Sequence, residues 1–561
     1  TLEMPAPGGD AVRELLAAVR SGKITEADVD ARLDELLTLV LDTHAAVERH
    51  SRSFDADAHH ALARRAAGES VVLLKNDDAL LPLAEGTRVA VIGDFAETPR
   101  YQGAGSSAVN SIKVDTFLDC LSDSGLYSVG FAPGFDRQGK PDAAKQAEAV
   151  ALAAKADAVL LCLGLDEIKE SEGLDRADMK LADNQIELLQ AVREANPNTV
   201  VIVNAGASLE TPWLAHCKAL VYGALGGQAG AGAMVDVLTG KINPGGKLAE
   251  TWANAYDDTP ARDHFAGPGR TVQYREGLYV GYRYYQTAGV PVAFPFGHGL
   301  SYTQFAYSDL HADAHSATLT VTNTGDRAGA EIVQLYVAKP NAEIFRPAQE
   351  LKAFAKVQLA AGESKTVTLT LDDKAFRYRN TRTDSWEVEG GTYELRVGAS
   401  SADIRLTAAV EVIGTDALNP YAGKALPHYQ SGKVQTVPDA EWETLLDRPI
   451  PDDRVKIDRN MTLGELNHGR SPLGWLVWAV MTVLLNASYK KGKPDLNVLF
   501  QYNMPLRALA KMTNGAISMG MVDGIVMEVQ GFWVIGLVRV IFEAVKNVIL
   551  NAQLENRLRN S

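Results

Sequence analysis

The sequence predicts an α/β domain, with a parallel-rich sheet flanked by helices, followed by an all-β sandwich and a helical C-terminal tail. Three observations carry this. Between residues 71 and 255, short β-branched runs alternate with alanine-rich stretches of helical spacing. Between 317 and 413 only strand patterns occur, and from 461 onward apolar segments are broken by glycines. Continuous apolar strands alternating with helices need cover on both sheet faces, which is the parallel arrangement. Alternation between turn signals fits a sandwich, with one side of each strand inside.

Composition bounds the rest. A chain of 561 residues has room for three to four domains at ~150 residues each. Apolar residues make up 46% and charged residues 22%, which excludes a disordered chain, a fibre and a disulfide-stapled miniprotein. Seventy acidic against 55 basic residues give a net charge of −15, and with no basic run such a chain repels phosphate backbones. Nucleic acid is not an expected partner. Cys120, Cys162 and Cys217 each sit in an apolar stretch and read as small core residues. Three cysteines supply neither a disulfide framework nor a four-ligand zinc site, so no metal is expected and a cytoplasmic setting is favoured.

Taken in order, residues 1–70 are helical in pattern. Thr25 and Asp28 make a cap-like signal before Val29, Leu33, Leu36, Leu37 and Val40. A piece this short cannot bury its own stripe, so it must dock on something. In 71–255, strand runs fall at 71–74, 89–92, 158–161, 200–203 and 220–222, with helices over 142–156, 182–195 and 229–238. Residues 256–316 form a connector rich in Tyr, Gly and Phe, whose Tyr274, Tyr279, Tyr282, Tyr284 and Tyr285 read as packing, as does Trp213. Strands at 317–322, 331–337, 364–370 and 391–397 define the sandwich over 317–413. Residues 414–460 are polar and Pro-rich, a linker or strap.

In the tail, 461–561, Leu473–Leu485 and Val522–Val545 are expected as a helical pair. Gly515, Gly520, Gly524, Gly531 and Gly536 would allow close approach or kinks. The apolar face of that pair needs cover from the rest of the protein, from a second copy in a homo-oligomer, or from a membrane surface. The uncharged span 471–489 approaches bilayer length but contains Pro472, Gly474 and Asn486, which argues against a spanning helix.

Two loops carry the candidate chemistry. Leu163-Gly-Leu-Asp-Glu-Ile-Lys-Glu-Ser-Glu-Gly-Leu-Asp-Arg176 follows an apolar strand, where open α/β sheets place their ligands. Six carboxylates lie between Asp166 and Asp178, and like charges held together raise one another's pKa, as a general acid needs. The alternative is a solvated acidic loop. Pro99-Arg-Tyr-Gln-Gly-Ala-Gly-Ser-Ser107 lacks the third glycine of a dinucleotide turn. It reads either as a cradle for sugar hydroxyls through Arg100, Gln102 and backbone amides or as a long turn. The adjacent His59 and His60 read as exposed, and no Gly-x-Ser-x-Gly, His-Glu-x-x-His or Walker lysine motif occurs.

These residues resemble glycoside hydrolase family 3, the β-glucosidase-like enzymes. The matching segments run in order: Leu2–Pro5, Ser70–Asn76 with Leu81–Leu83, Tyr101–Ser107, Glu172–Arg176, Asn243–Trp252, Tyr274–Arg283 and Phe294–Tyr302. Arg346-Pro347 and Glu350–Phe354 fall where that family carries a fibronectin-III-like sandwich. The resemblance implies retaining hydrolysis of β-linked glucosides or oligosaccharides by two carboxylates, without a cofactor. It implies Glu172 as general acid/base, with Glu170 as the fallback. Arg100, Gln102, Gly103, Ser106, Asp175 and Arg176 are the candidate substrate-binding residues. Residues 1–70 would be the end of the family's (β/α)8 barrel with linker helices. The family's nucleophile is an aspartate in a Ser-Asp-Trp motif on that barrel, and no Ser-Asp-Trp occurs among these residues. The expectation is therefore a C-terminal portion bearing half of a site; the rival is a non-catalytic carbohydrate-binding or adhesion module.

Overall fold

The computed structural model of the chain describes residues 9–49, 53–265, 267, 271–492, 494–513 and 515–560; the barrel-end segment Leu2–Pro5 lies outside them. The chain divides into two units: Asp57–Asp452, and residues 1–56 together with 453–561. The second of these begins with helices α1 (Gly9–Arg20) and α2 (Glu26–Arg49). The expected cap opens α2: the Asp28 carboxylate accepts from Thr25 N and Oγ1 at 2.8 Å, and Asp28 N donates to Thr25 Oγ1. No residue of α2 is buried within the chain.

In the 57–452 unit, α3 (Ala56–Ser70) leads into a six-stranded sheet. Its strands are β1 (Val72–Asn76), β2 (Arg88–Ile92), β3 (Tyr127–Ala132), β4 (Ala158–Gly164), β5 (Thr199–Asn204) and β6 (Ala219–Tyr222). They lie in the order β1-β6-β5-β4-β2-β3. All pairs are parallel except β1 with β6, so the sheet is parallel-rich with one antiparallel edge. Edge strand β3 escapes the sequence pattern because its exposed Tyr127 and Ser128, with Gly130 inside, break any apolar run. Helices α4 (Phe117–Leu121), α5 (Ala143–Ala153), α6 (Asp183–Ala195) and α7 (Gly230–Leu238) cover the sheet. All of β4 is buried, as is β2 from Val89 onward. Each such Val, Leu or Ile contributes ~1.5–3 kcal/mol of burial.

From β2 the chain steps outward to β3, then returns across β2 to β4. Loops after β2 and β4 therefore leave the sheet in opposite directions and open a crevice at their carboxyl ends, the usual place for a ligand in an open α/β sheet.

The pair read as exposed histidines needs correction. His59 is exposed, but His60 turns inward from α3. Its Nε2 lies 3.0 Å from Asp115 Oδ1, and its Nδ1 accepts from Gln228 Nε2 at 2.9 Å. An imidazole with a partner on each nitrogen satisfies its polarity inside the fold.

A two-stranded ribbon, β7 (Trp252–Ala253) with β8 (Val292–Phe294), and α8 (Tyr282–Ala288) form the connector. Tyr279, Tyr282, Tyr284 and Tyr285 are buried there as packing residues, whereas Tyr274 is exposed. The sandwich follows with β9 (Phe305–Ala312), β10 (Ser316–Asn323), β11 (Gly329–Ala338), β12 (Glu350–Leu359), β13 (Ser364–Thr370), a hairpin of β14 (Arg377–Asn380) and β15 (Ser385–Val388), β16 (Gly391–Gly398) and β17 (Ile404–Val412). Sheets β13-β10-β9 and β12-β11-β16-β17 enclose a core that includes Leu319, Leu335, Leu369 and Leu395. The stretch 414–460 is a docked strap. Through α9 (Pro427–Ser431) and α10 (Asp439–Leu446) it packs Tyr429 and Trp442 on Tyr279, Tyr284 and Tyr285. Tyr429 Oη donates to Arg275 O at 2.8 Å.

The other unit continues with α11 (Pro472–Tyr489), α12 (Leu496–Asn503), α13 (Leu509–Met512), α14 (Met519–Val529) and α15 (Trp533–Arg559). The apolar segment 522–545 breaks between α14 and α15 at Gly531, one of the glycines expected to allow a kink, whose φ of +104° suits glycine. The two helices then pack backbone to backbone: a Cβ on Gly536 would lie 2.7 Å from Gly524 O.

Candidate active site

The loop after β2 and the loop after β4 are zipped together. Ala104 and Ser171 form an isolated parallel bridge, Glu172 N donates to Ala104 O at 2.8 Å, and Ser171 Oγ donates to the same oxygen at 3.3 Å. At the end of this zipper the Glu172 carboxylate accepts the Ser106 backbone N–H at 2.5 Å. Gly105 makes the approach possible, since its φ is +154° and a Cβ there would stand 2.5 Å from Glu172 Cβ. The Gly-x-Gly of this loop is thus a seat for a carboxylate. Arg100, Gly103, Ser106, Glu170, Glu172 and Gly206 line a cleft of about 320 Å3.

The six carboxylates do not act on one another as the sequence suggested. Asp166 caps its own turn, accepting from Ile168 N and Lys169 N. Glu167 pairs with Arg137 at 2.9 Å; burial alone would raise its carboxyl, but Arg137 holds it below its ordinary value. Asp178 is likewise pushed up by burial and brought below its ordinary value by Lys169, 2.8 Å away. Glu170 lies 3.3 Å from Arg100 Nη1 and accepts Gly206 N at 2.9 Å. Glu172 is exposed and sits below its ordinary value because the Ser106 N–H favours the charged form. Separate cations and amides engage Asp166, Glu167, Glu170, Glu172 and Asp178 one by one.

Among the expected binding residues, Arg100 is almost fully buried. Its guanidinium donates to Leu165 O, Asp166 O and Glu170 O, which fixes the curvature of the acidic loop. Gln102 closes its own loop with two bonds to the Val109 backbone. Gly103 and Ser106 face the cleft, and Asp175 is exposed beyond it. Arg176 Nη1 donates to Ser208 O at 3.3 Å, while its Nε and Nη2 are buried and have no hydrogen-bond partner among the described residues. The sequence reading missed Glu250, within the Asn243–Trp252 segment. Surrounding protein raises its carboxyl above the ordinary value although the residue keeps an exposed edge; Ser208 and Arg176 oppose the shift and the Glu170 charge adds to it.

A larger groove, about 990 Å3, runs between the sheet and the sandwich. Its carboxylates are taken up in ion pairs, Lys247 with Glu331 at 3.1 Å and Arg405 with Asp403 at 2.9 Å. The zippered loops are the better candidate for chemistry.

Comparison with known proteins identifies the domains that carry these loops. Residues 71–302 match the family described as glycosyl hydrolase family 3 C-terminal domain, and residues 331–401 match the fibronectin type III-like domain. An exo-α-(1→6)-L-arabinopyranosidase of Bifidobacterium breve is 43% identical over 435 residues, covering 75% of this chain and 57% of that protein. Thermostable β-glucosidase B of Acetivibrio thermocellus is 41% identical, covering 74% of this chain and 56% of the relative. The crystal structure of the Bifidobacterium adolescentis GH3 β-glucosidase superposes with a TM-score of 0.70 at 42% identity, covering 75% of this chain and 64% of that one. The chain spans somewhat more than half the length of the curated relatives it matches.

Proposed function

The chain belongs to glycosyl hydrolase family 3, and on that footing we propose that it carries the acid/base half of a site for retaining cleavage of terminal β-linked glucosyl residues. Glu172 is the general acid/base. In the first step its carboxyl proton passes to the glycosidic oxygen as the C–O bond breaks and a second carboxylate attacks the anomeric carbon from the opposite face. In the second, the Glu172 carboxylate takes a proton from the water that releases the sugar. The second carboxylate is assigned to a (β/α)8 barrel of the kind the family resemblance implies, since no Ser-Asp-Trp occurs in these 561 residues.

The observation that carries this reading is the pairing pattern of the loop. Glu167, Glu170 and Asp178 are each matched with a cation, whereas Glu172 sits at the cleft rim with only a backbone amide. In the open cleft it is ionised. Substrate closing over it excludes water and raises its pKa towards that of a general acid. Gly103 and Ser106 line the floor against which the sugar docks. Proton transfer and covalent glycosyl chemistry of this kind need side chains alone.

The test is a chimera joining this chain behind the barrel of the B. adolescentis relative, assayed on aryl β-glucosides, with Glu172→Gln as control. Turnover that this substitution abolishes supports the reading. Sugar binding without turnover supports the carbohydrate-binding alternative. A terminal arabinopyranosyl residue is the second substrate reading, favoured by the name of the 43% identical relative, and faster release from an aryl α-L-arabinopyranoside selects it.

A further inference from the structure

Helix α15 is inverted relative to a helix of a water-facing domain. Its inward stripe, which packs on α14 and the turn before it, carries Gly536, Val540, Glu543 and Asn547. Asn547 is only 3% exposed and donates to Gly515 O at 2.7 Å, while a Cβ on Gly520 would meet the Glu543 carboxylate. The outward stripe is apolar: Val534, Val538, Ile541, Val545 and Val548 follow the three-to-four-residue spacing of one face, with Val534 76% and Val548 69% exposed. A solvated helix places its charges outside and its valines inside, so this face is built for an apolar medium.

Helix α11 carries a second exposed apolar face. Buried Gly474, Leu485 and Ser488 tie it to the unit along one side, while Leu473, Trp475, Leu476, Val480, Val483 and Leu484 remain exposed. The two helices start together: Trp475 Nε1 donates to Gly469 O at 3.0 Å and Trp533 Nε1 to Arg470 O at 3.2 Å. Each of these half-exposed indoles has its polar edge satisfied at that turn, an arrangement suited to a membrane–water boundary.

Charge selects the occupant. Residues 453–561 contain thirteen Lys and Arg against eight Asp and Glu, within a chain whose net charge is −15. Arg470 before α11, Lys490 and Lys491 after it, and Arg557 and Arg559 at the end of α15 are exposed at the borders of the apolar faces. A symmetric pair of copies meeting on this surface would bring those cations together. An anionic bilayer would neutralise them at ~1 kcal/mol per residue. Helix α2, also unburied, interleaves its leucines with Asp30, Asp34, Glu35 and Asp42, so its exposed surface is acidic rather than continuously apolar.

We propose that α11 and α15 form a membrane-docking surface that lies in the headgroup region of a bilayer containing anionic lipid. The helices lie along the bilayer rather than across it, because α11 is fastened to its unit near both ends and α15 along its inner stripe. The proposal is independent of the Glu172 assignment.

The 561-residue chain, mixed with vesicles of neutral phosphatidylcholine or of phosphatidylcholine with 30% phosphatidylglycerol, tests it by flotation. The expected result is at least tenfold stronger binding to the anionic vesicles, lost at high salt, with a blue shift of tryptophan emission. Val538→Glu with Val545→Glu on the exposed face, and separately Lys490→Glu with Lys491→Glu, should each weaken binding at least fivefold with far-ultraviolet circular dichroism unchanged. Three outcomes overturn the proposal: no binding to either vesicle, equal binding to both, or a dimer in light scattering that the Val538→Glu and Val545→Glu pair dissociates. Resistance of the bound chain to alkaline carbonate extraction also overturns it, in favour of a spanning helix.

Discussion

Arg100 and Glu170 form a 3.3 Å ion pair inside the loop junction, with the arginine side chain 1% and the glutamate 12% exposed. The pair separates two glutamates that stand two residues apart in sequence. Glu170 is committed to a buried cation and to Gly206 N, while Glu172 reaches the cleft rim. The Arg100 brace on the carbonyls of Leu165, Asp166 and Glu170 holds both in place.

Arg100→Ala should therefore cost about 3 kcal/mol of stability, since removing one partner of a buried pair strands the other charge. Urea unfolding of the α/β domain checks this. A loss under 1 kcal/mol would mean that Glu170 finds water instead and that the brace is dispensable.

Gly105→Ala tests the seat without touching a carboxylate. The added Cβ would collide with Glu172 Cβ and the backbone would keep an unfavourable φ. In the barrel chimera, kcat should fall about 100-fold, as a displacement near 1 Å commonly causes, with the melting temperature lowered by only a few degrees. Unchanged kcat would show that Glu172 need not rest on this loop.

The pH dependence of stability follows from Glu167 and Asp178, both held below their ordinary values by cations that outweigh burial. A depressed carboxyl stabilises the fold fully above its unfolded pKa, ~4.3 for Glu and ~3.9 for Asp, and loses that contribution as pH falls through the lower folded value. Urea midpoints should be flat with respect to these groups from pH 5 to 8 and drop below about pH 4. Glu167→Gln should make that acid limb shallower; an identical limb would remove the Arg137 pair from the account.

The cysteines should be silent. Burial pushes the Cys120 and Cys217 thiols up to about 11 and Cys162 to about 12. At pH 8 the native chain should react with a disulfide reagent far more slowly than the denatured chain, in which all three respond. Rapid native labelling of Cys162 would contradict its place in β4.

Much of this architecture can be read from sequence because period and burial coincide. The run at 158–161 is apolar throughout and becomes a strand buried on both faces, and the alternation at 317–322 becomes an alternately buried sandwich strand. Edge strand β3 and the inward turn of His60 depend on tertiary partners that no local pattern reports. At the site, the sequence places the two loops but not their pairing. Charge counting suggested mutual repulsion among six carboxylates, whereas Arg137 and Arg100 reach into the loop from 30 and 70 residues away to neutralise Glu167 and Glu170. Glu250 carries no local signal beyond its place in the Asn243–Trp252 segment, because the protein around it sets its ionisation.

The most direct measurement of the central claim compares Glu172→Gln and Glu170→Gln in the barrel chimera on two substrates, an activated aryl β-glucoside and cellobiose. A general acid matters most when the departing oxygen needs a proton. Glu172→Gln should reduce kcat/KM on cellobiose by at least 1,000-fold while affecting the glycosylation of an activated leaving group far less. Glu170→Gln should lower both substrates alike, as a loop that has lost its buried pair. The opposite assignment, with leaving-group selectivity in Glu170→Gln and none in Glu172→Gln, would contradict the account.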